Sequence, residues 1–587
     1  MKFHVAFTGL FVSSALTIPT DLPAPALGPE ELPSQVLNET AASRLEARFA
    51  TVSVNIPTGG KVIGRSLLNV ESFNAIPFAD PPVGQLRLRP PRRLSKKPGT
   101  VDGTGLAPGC PQMFVSSSAK DALGKILGTL LDIPLLKPIT GQEDCLTVNV
   151  QRPAGVKAGD KLPVLFWIFG GGFELGSTNT YDATSLLATA VDQDQPFVFV
   201  AVNYRVAGFG FMPGKEILQD GSANLGLLDQ RMGLEWVADN IEAFGGDPAK
   251  VTIWGESAGA ISVFDQMLLF GGNATYRGKP LFRGAIMNSG TAVPADPVDC
   301  PKGQAVYDAV VDKAGCSGAA DTLDCLRGLD YETFLEAANS VPAILSYNSV
   351  ALSYLPRPDG RVLTQSPDKI VQSGQFYAVP SIVGDQEDEG TIFSIFQAGV
   401  STVNDMADYL SELFFHNATR SKLKEFVSLY DPALLQGSPF RTGIFNELYP
   451  GFKRMAAILG DVTFTLTRRV ILKSLRVSKP NMPVWSYMSS YNFGTPVVGT
   501  FHASDILQVF YGLWPNNAMR SCRTYYFNFL YNLDPNKGVT GYGKWPQWKE
   551  KQELMWFKTA SKNDILKDDF RSGAGAWLEK NVGILYI

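Results

Sequence analysis

The feature that most constrains the fold is a short turn between a predicted strand and a predicted helix. Residues 251–254 are β-branched and aromatic, which predicts a buried strand, and residues 258–269 have the pattern of a helix. The link between them, 255–259, reads Gly-Glu-Ser-Ala-Gly and matches G-x-S-x-G. Glycines on both sides of Ser257 permit a sharp turn that lifts the hydroxyl out of the sheet. Ser257 is therefore the candidate nucleophile, although so short a pattern also occurs on ordinary strand–helix connections.

Apolar runs of strand length alternate with helical stretches along the rest of the chain. This alternation predicts an α/β fold with a mostly parallel sheet and helices on both faces, built as one domain over residues 49–587. A helix is predicted at 224–244, with Leu228, Met232 and Trp236 on its apolar face. The formal net charge of -4 provides no basic face for nucleic acid, so a small molecule or a lipid fits better. The predicted strands are 162–169, 197–203, 251–254, 283–288, 379–383 and 483–488.

The first 48 residues lack this alternation. Residues 1–17 contain an early lysine and the apolar run VAFTGLFVSSAL, which is too short to span a bilayer and is typical of a secretory signal peptide. Residues 18–48 are rich in Pro, Glu and Ala, which predicts a linker or propeptide. No later stretch is long and apolar enough to be an integral membrane segment, so we expect secretion to the extracellular space.

Sequons and cysteines agree with secretion. The sequence has three N-x-[ST] glycosylation candidates, Asn38, Asn273 and Asn417. It has six cysteines, whose pairing cannot be deduced from spacing alone. No C-x-x-C pair or His/Cys cluster suggests a metal site, and we expect neither a metal nor an organic cofactor.

Three consecutive glycines, Gly170, Gly171 and Gly172, follow the strand predicted at 162–169. Such a run lets backbone N–H groups approach a ligand closely, which suits either a phosphate or the oxyanion of an acyl-transfer intermediate. The glycine spacing misses G-x-G-x-x-G by one residue, and no Gly-Lys-Ser/Thr follows, which disfavours a nucleotide. We therefore predict an oxyanion hole formed by the N–H groups of Gly171, Gly172 and Ala258.

Histidine is so scarce that the general base can be chosen by elimination. His4 lies in the predicted signal peptide, and His416 directly precedes a sequon, which indicates a surface position. His502 follows the strand predicted at 483–488, in a loop where functional residues are common. If Ser257 is a nucleophile it needs a base that titrates near neutral pH, and His502 is then favoured.

The acid is expected between the serine and the histidine in chain order. Four acids follow the strand at 379–383, and spacing alone cannot choose among them; an acidic loop also fits a solvated surface. The order of serine, acid and histidine fits the α/β-hydrolases and neither the chymotrypsin nor the subtilisin order. The four candidates are Asp385, Glu387, Asp388 and Glu389.

Several longer segments carry a resemblance to a known family. They are FNAIPFADPPVGQLRLRPP (73–91), EDCLTVNVQRP (143–153), FGGGFELGS (169–177), VNYRVAGFGF (202–211), NLGLLDQR (224–231), FGGDPAKVTIWGESAGA (244–260), GDQEDEGT (384–391) and GTFHASDI (499–506). With these segments the chain resembles the type-B carboxylesterase/lipase family of α/β-hydrolases, which also contains the cholinesterases. Within it, ALSYLPRPDG (351–360) and GIFNELYPGFKR (443–454) are most similar to the fungal sterol esterase and versatile lipase branch.

The resemblance implies roles that spacing leaves open. The glutamate of the DEG triplet, Glu389, becomes the acid that acts with Ser257 and His502. Cys300 and Cys522 lie outside the shared pattern and are either a third bridge or free thiols. The resemblance also implies two disulfides and two structural ion pairs, Cys110–Cys145, Cys316–Cys325, Arg87–Glu143 and Arg205–Asp229.

The resemblance also implies a substrate class. The loop at about 110–145, closed by a disulfide, would be a lid over the active site, and its leucine-rich stretch 123–136 would open at a lipid–water interface. We expect hydrolysis of lipid esters, namely sterol esters, triacylglycerols or both, by a Ser-His-Glu acyl-enzyme mechanism. A general carboxylesterase for small esters and a non-catalytic cholinesterase-like binding protein stay open as alternatives, as does a homodimer formed through the lid surface.

Overall fold

The computed structural model describes residues 50–115 and 141–587. The predicted signal peptide and linker, His4, Asn38 and most of the predicted lid, including 123–136, lie outside the described residues. Residues Ala50–Ile587 form one compact unit.

The described chain is organised around one mixed sheet. Its strands follow each other in space in the order β1-β2-β3-β5-β7-β6-β8-β11-β12-β13-β14-β15, while β4 pairs with β2, and β9 and β10 form a separate small hairpin. The strands are β1 (Ala50–Ile56), β2 (Gly60–Leu67), β3 (Val70–Pro77), β4 (Gly99–Asp102), β5 (Thr147–Pro153), β6 (Leu162–Ile168), β7 (Val198–Val202), β8 (Gly246–Glu256), β9 (Thr275–Tyr276), β10 (Lys279–Pro280), β11 (Gly284–Asn288), β12 (Ser381–Gln386), β13 (Val484–Ser489), β14 (Glu553–Phe557) and β15 (Asp564–Lys567).

The centre of the sheet is parallel and its margins are antiparallel. From β7 through β6, β8, β11, β12 and β13 to β14, every neighbouring pair is parallel. The pairs β3–β5, β5–β7 and β14–β15 are antiparallel. Strands covered on both faces are expected to be apolar along their whole length, and β7 and β11 are buried at every residue. The predicted α/β class with a mostly parallel sheet is confirmed.

Helices alternate with these strands, as the sequence pattern predicts. The α-helices are α1 (Thr184–Asp192), α2 (Ala207–Gly210), α3 (Lys215–Asp220), α4 (Leu225–Asn240), α5 (Ala258–Gly272), α6 (Pro301–Lys313), α7 (Thr322–Gly328), α8 (Tyr331–Ala338), α9 (Pro367–Ser373), α10 (Val403–Tyr409), α11 (Arg420–Val427), α12 (Phe452–Gly460), α13 (Leu466–Ser478), α14 (Asn517–Asn532), α15 (Trp548–Lys551) and α16 (Ser572–Asn581). One π-helical turn, Asp461–Thr465, joins α12 to α13.

Two disulfides and both expected ion pairs are present. Cys110–Cys145 and Cys316–Cys325 are bonded. Each ion pair is bidentate and buried: Arg87 holds Glu143 at 2.6 and 2.8 Å, and Arg205 holds Asp229 at 2.8 and 2.7 Å. Such forked arginine–carboxylate pairs fix geometry as well as charge.

Of the two alternatives left open for Cys300 and Cys522, a third bridge or free thiols, the structure has the free thiols, and both are buried. Cys300 caps the N-terminus of α6, where its Sγ accepts a hydrogen bond from the N–H of Gly303 at 3.3 Å. Cys522 lies in the middle of α14. Each thiol is thus part of a different helix and has its own packing role.

The surface predictions agree with the structure where it describes them. His416, Asn273 and Asn417 are all exposed. Within residues 50–115 and 141–587, no helix is long and apolar enough to cross a membrane.

Four parallel strands, β6, β8, β12 and β13, lie side by side with β11 in the sheet. The glycine run follows β6, Ser257 follows β8, the acidic cluster spans the end of β12, and His502 lies in the loop after β13. Carboxyl ends of parallel strands share one edge of a sheet, so this topology places all the candidate residues at the same edge.

Candidate active site

Ser257 occupies a strained turn between β8 and α5. Its φ and ψ angles are 57° and -127°, a conformation that residues with a side chain rarely adopt. Its N–H donates to the carbonyl oxygen of Asn288 on the neighbouring strand β11 at 2.9 Å. Ser257 is 8% exposed, so the turn presents the hydroxyl at a nearly closed site. The predicted turn at this serine is confirmed.

Close backbone contacts explain the glycines around Ser257. A side chain on Gly255 would collide with the backbone of Gly259, and one on Gly259 would collide with the carbonyl oxygen of Ile168 at the end of β6. Both positions therefore need glycine because the strand and the helix approach each other without room for a methyl group.

His502 and Glu389 form a buried pair. The Nδ1 of His502 lies 2.5 Å from Oε2 of Glu389, whose Oε1 accepts from the N–H of Gln386 at 2.7 Å. The imidazole packs against Phe393 and Phe464, with ring centroids 5.0 and 4.5 Å away. One ring nitrogen is thus held by a carboxylate, and Nε2 has no hydrogen-bond partner among the described residues.

The other three acids of the cluster have different partners. Asp385 forms a buried ion pair with Arg468 at 2.6 Å, and Glu387 pairs with Arg441, which is exposed. Asp388 accepts hydrogen bonds from the backbone N–H groups of Phe440 and Thr500 at 2.8 and 2.9 Å, and so joins two loops. Of the four, only Glu389 is hydrogen-bonded to His502.

Sequence reasoning missed a second carboxyl group beside the histidine. Oε1 of Glu256 lies 3.2 Å from Nε2 of His502, within ion-pair distance but without the geometry of a hydrogen bond, and Glu256 is 2% exposed. Burial raises the pKa of Glu256 to about 8. Burial would lower the pKa of His502, but the nearby Glu256 and Glu389 outweigh it and raise this pKa to about 9. A charged residue directly before Ser257, at the buried end of β8, was the available sequence signal.

Replacing Glu256 with glutamine is expected to shift the acid limb of the kcat/KM pH profile to lower pH, by about one unit. The amide no longer favours the imidazolium form, so the pKa of His502 falls. A base acts in its neutral form, and a lower pKa therefore preserves activity at lower pH. Glu387→Gln is the matched control, since Glu387 pairs with Arg441 at the surface. An acid limb that stays in place or moves upward in Glu256→Gln would contradict this coupling.

The glycine run after β6 turns with two residues in the left-handed region. Gly171 and Gly172 have φ angles of 109° and 64°, and a Cβ on either would lie 2.5 Å from Leu175 O or Ile344 Cδ1, respectively. Ala258 is the first residue of α5, so its N–H has no carbonyl one turn earlier to bind. Gly172, Ala258 and Ser257 all line one cavity; Gly171 is not among its lining residues.

The empty space in this cavity, including the part that is open to solvent, is about 600 Å³. Its walls are mostly apolar, and Phe393 and Phe464 connect it to the imidazole of His502. A concave, mostly apolar cavity with a few convergent polar groups is the usual form of a small-molecule site. Seven aliphatic side chains are part of the wall, namely Ile261, Val293, Ile344, Val350, Leu352, Leu355 and Ile587.

Over the residues that the structure describes, no group of three or more His, Cys, Asp or Glu side chains could hold a metal ion. The polar groups of the site are those of a nucleophile, an imidazole and two carboxyls. Together they can activate a hydroxyl toward a carbonyl compound.

Comparison with known proteins matches most of the chain to one family. The model of the Carboxylesterase family matches residues 50–572. The chain is 64% identical over 548 residues to the secreted triacylglycerol lipase LIP1 of Gibberella zeae, covering 93% of each chain. It is 43% identical over 516 residues to lipase 5 of Diutina rugosa, covering 86% of this chain and 91% of that lipase.

Among solved structures, the fold is similar to that of EstA from Aspergillus niger. The TM-score is 0.77 at 26% sequence identity, over 92% of this chain and 99% of that one. The resemblance inferred from the motifs is confirmed by these matches.

Proposed function

Since this chain belongs to the carboxylesterase family, we propose that it is a secreted serine hydrolase that cleaves the carboxylic ester bonds of lipids. Relatives named as secreted lipases support both the secretion and the substrate class. The observation that carries the mechanism is the buried His502–Glu389 pair at the same sheet edge as the strained Ser257 turn.

In the first half-reaction, Ser257 Oγ attacks the ester carbonyl carbon while Nε2 of His502 takes the hydroxyl proton. Glu389 holds the imidazole through Nδ1 and stabilises the imidazolium that forms. The C–O bond to the alcohol then breaks, the alcohol leaves with the proton from His502, and the acyl group stays on Ser257.

In the second half-reaction, His502 takes a proton from water as the water oxygen attacks the acyl carbon. The bond from that carbon to Ser257 Oγ then breaks, His502 returns the proton to Oγ, and the carboxylic acid leaves. The N–H groups of Gly171, Gly172 and Ala258 face the negative oxygen in both half-reactions. One such donor typically lowers the barrier by about 3–4 kcal/mol.

The apolar cavity supports a lipid acyl chain rather than a small acyl group. Its lining is mostly apolar and includes seven aliphatic side chains, which suits an alkyl chain. A second apolar cavity shares Val293, Thr463 and Ile587 with it, which extends the apolar surface available to a long chain. The proposed substrates include both sterol esters and triacylglycerols.

Three parts of the proposal rest on the sequence. These are a signal peptide at 1–17, a linker or propeptide at 18–48, and a single catalytic domain over 49–587 with a lid at about 110–145. Pairing of two molecules through the lid surface also stays a prediction, which the molecular mass in solution would test.

Hydrolysis of a short-chain ester, a triacylglycerol emulsion and cholesteryl oleate by the purified protein tests the substrate class. We expect kcat/KM on the two long-chain lipids to exceed that on p-nitrophenyl butyrate, and the triacylglycerol rate to rise above the monomer solubility limit. A fluorophosphonate probe should label Ser257, identified by peptide mass spectrometry.

The outcomes separate the alternatives. A higher kcat/KM on the short ester would favour a general carboxylesterase. A chain that reacts with neither the esters nor the probe would be a non-catalytic binding protein.

A further inference from the structure

One face of α5 forms a wall of the cavity beside the nucleophile. Ser257, Ile261 and Asp265 follow each other at a spacing of four residues, and all three line the cavity. The cavity therefore runs along about two turns of this helix, away from the reacting serine. Asp265 lies on the inner part of this wall.

Two polar groups in this apolar cavity have no hydrogen-bond partner among the described residues. Both carboxyl oxygens of Asp265 and the hydroxyl of Thr463 are buried without a hydrogen bond to any described residue. Asp265 is 1% exposed, and Thr463 lies on the π-helical turn Asp461–Thr465. Buried polar groups are nearly always hydrogen-bonded, so two unpaired groups in one cavity indicate a ligand group that the described residues do not supply.

The charge state of Asp265 narrows the ligand chemistry. Burial raises the pKa of Asp265 well above its ordinary value. This shift favours the neutral carboxylic acid, which has one O–H donor and one free carbonyl acceptor. A hydroxyl group, which can both donate and accept, complements such a group.

We propose that Asp265 and Thr463 form a polar subsite inside the acyl cavity, and that it binds a hydroxyl group carried in the middle of a fatty acyl chain. The proposal rests on the function inferred above, because it assumes that the acyl group of an ester on Ser257 occupies this cavity. It makes esters of mid-chain hydroxy fatty acids a preferred substrate class.

The helix geometry gives the position of the hydroxyl. Asp265 is eight residues beyond Ser257, which corresponds to about 12 Å along the helix axis. An extended alkyl chain advances about 1.3 Å per carbon, given C–C bonds of about 1.5 Å. The hydroxyl is therefore expected near the ninth or tenth carbon of the acyl chain, and between about carbons 8 and 12 when side-chain reach is included.

The test compares methyl esters of one chain length that differ only in the hydroxyl. The substrates are methyl stearate and its 3-, 10- and 12-hydroxy derivatives, and the readout is the ratio of kcat/KM for each hydroxy ester to that for methyl stearate. We expect the ratio in the unmodified protein to be about tenfold for the 10- or 12-hydroxy ester, as one or two hydrogen bonds provide, and close to one for the 3-hydroxy ester.

Two variants assign the preference to the subsite. Asp265→Leu and Thr463→Val should each reduce the mid-chain ratio, and Asp265→Asn should preserve most of it because the amide both donates and accepts. Ser262→Ala is the matched control, since Ser262 lies on α5, lines neither cavity, and accepts a hydrogen bond from Gln230 at 3.0 Å. The control should leave the ratio unchanged.

A ratio near one for all hydroxy esters, unaltered in Thr463→Val, would overturn the subsite and leave Asp265 and Thr463 with ordered water only. The substrate comparison in the unmodified protein decides this even if Asp265→Leu does not fold. Failure of the proposed function would look different, because methyl stearate itself would then not be hydrolysed.

Discussion

Replacing Ser257 with alanine is expected to lower kcat on any ester substrate by about 10⁶-fold, which is the loss typical of a nucleophile in a Ser-His-acid site. The variant keeps the backbone turn but has no oxygen to form the acyl-enzyme. His502→Ala should cost about as much, because the serine hydroxyl is a weak nucleophile without its base. Residues that act as one unit are not additive, so the double variant should be no slower than either single one.

Ester hydrolysis with an active-site titration measures this loss. Ser262→Ala is the matched control, because Ser262 lies on the same helix, is fully buried, and accepts a hydrogen bond from Gln230 at 3.0 Å. Ser262→Ala should retain most of the kcat of the unmodified protein. Ser257→Ala, His502→Ala and Ser262→Ala should all keep the melting temperature of the unmodified protein within a few degrees. If Ser257→Ala retained a tenth of the activity, another nucleophile would have to be sought.

The turn at Ser257 could be predicted because its causes are local. β-Branched residues, a pair of glycines and a helical pattern lie within one short segment, and each has a steric reason to be there. The parallel sheet could be predicted for a similar reason, since each strand is an apolar run that needs no distant partner to be recognised. Both predictions agree with the structure.

The choice among four acids could not be made from spacing, because it depends on distant residues. Asp385 is paired by Arg468, which is 83 positions away, and Asp388 is held by the N–H of Thr500, 112 positions away. Glu389 alone reaches His502, which is 113 positions away. Only family resemblance carried that information, and the structure agrees with it.

Which face of α4 is most buried also depends on the elements that pack against this helix. The sequence placed Leu228, Met232 and Trp236 in the core, but Leu228 and Met232 are only partly buried. Leu227 and Leu234 are fully buried instead. A helix that is covered on several sides buries side chains on more than one of its faces. The periodicity of its apolar residues does not show which face is the most buried.

A buried cluster of charged side chains links β12 and β13, the strands that precede the candidate acid and base. Arg468 of α13 contacts Asp385 of β12 at 2.6 Å, Ser486 of β13 at 2.9 Å and Asp568 at 2.9 and 3.0 Å. Arg469 holds the same Asp568 at 2.9 Å. Because β12 leads to Glu389 and β13 leads to His502, this cluster supports the strands from which the candidate acid and base extend.

Asp568→Ala is expected to lower the free energy of unfolding by about 3–5 kcal/mol, because it leaves a buried arginine pair without its shared carboxylate. Burial acts to raise the pKa of Asp568, but Arg468 and Arg469 outweigh it and hold the pKa at about 2, below the ordinary value of 3.8. A depressed pKa contributes stability above the ordinary value, and this contribution is lost as the pH falls toward 2. The variant should therefore lose most stability at neutral pH, and the difference should narrow below pH 4.

Urea denaturation at pH 7 and at pH 3.5 measures both effects. The matched control is Glu579→Ala, which breaks the exposed Lys473–Glu579 pair and should cost less than about 1 kcal/mol. Asp568→Ala should also lower kcat more than it raises KM, since it loosens the strands behind Glu389 and His502 but touches no lining residue of the cavity. Equal losses in the free energy of unfolding would show that the buried cluster stabilises the protein no more than the surface pair does. The pairing of β12 and β13 within the sheet would then be what holds these two strands in place.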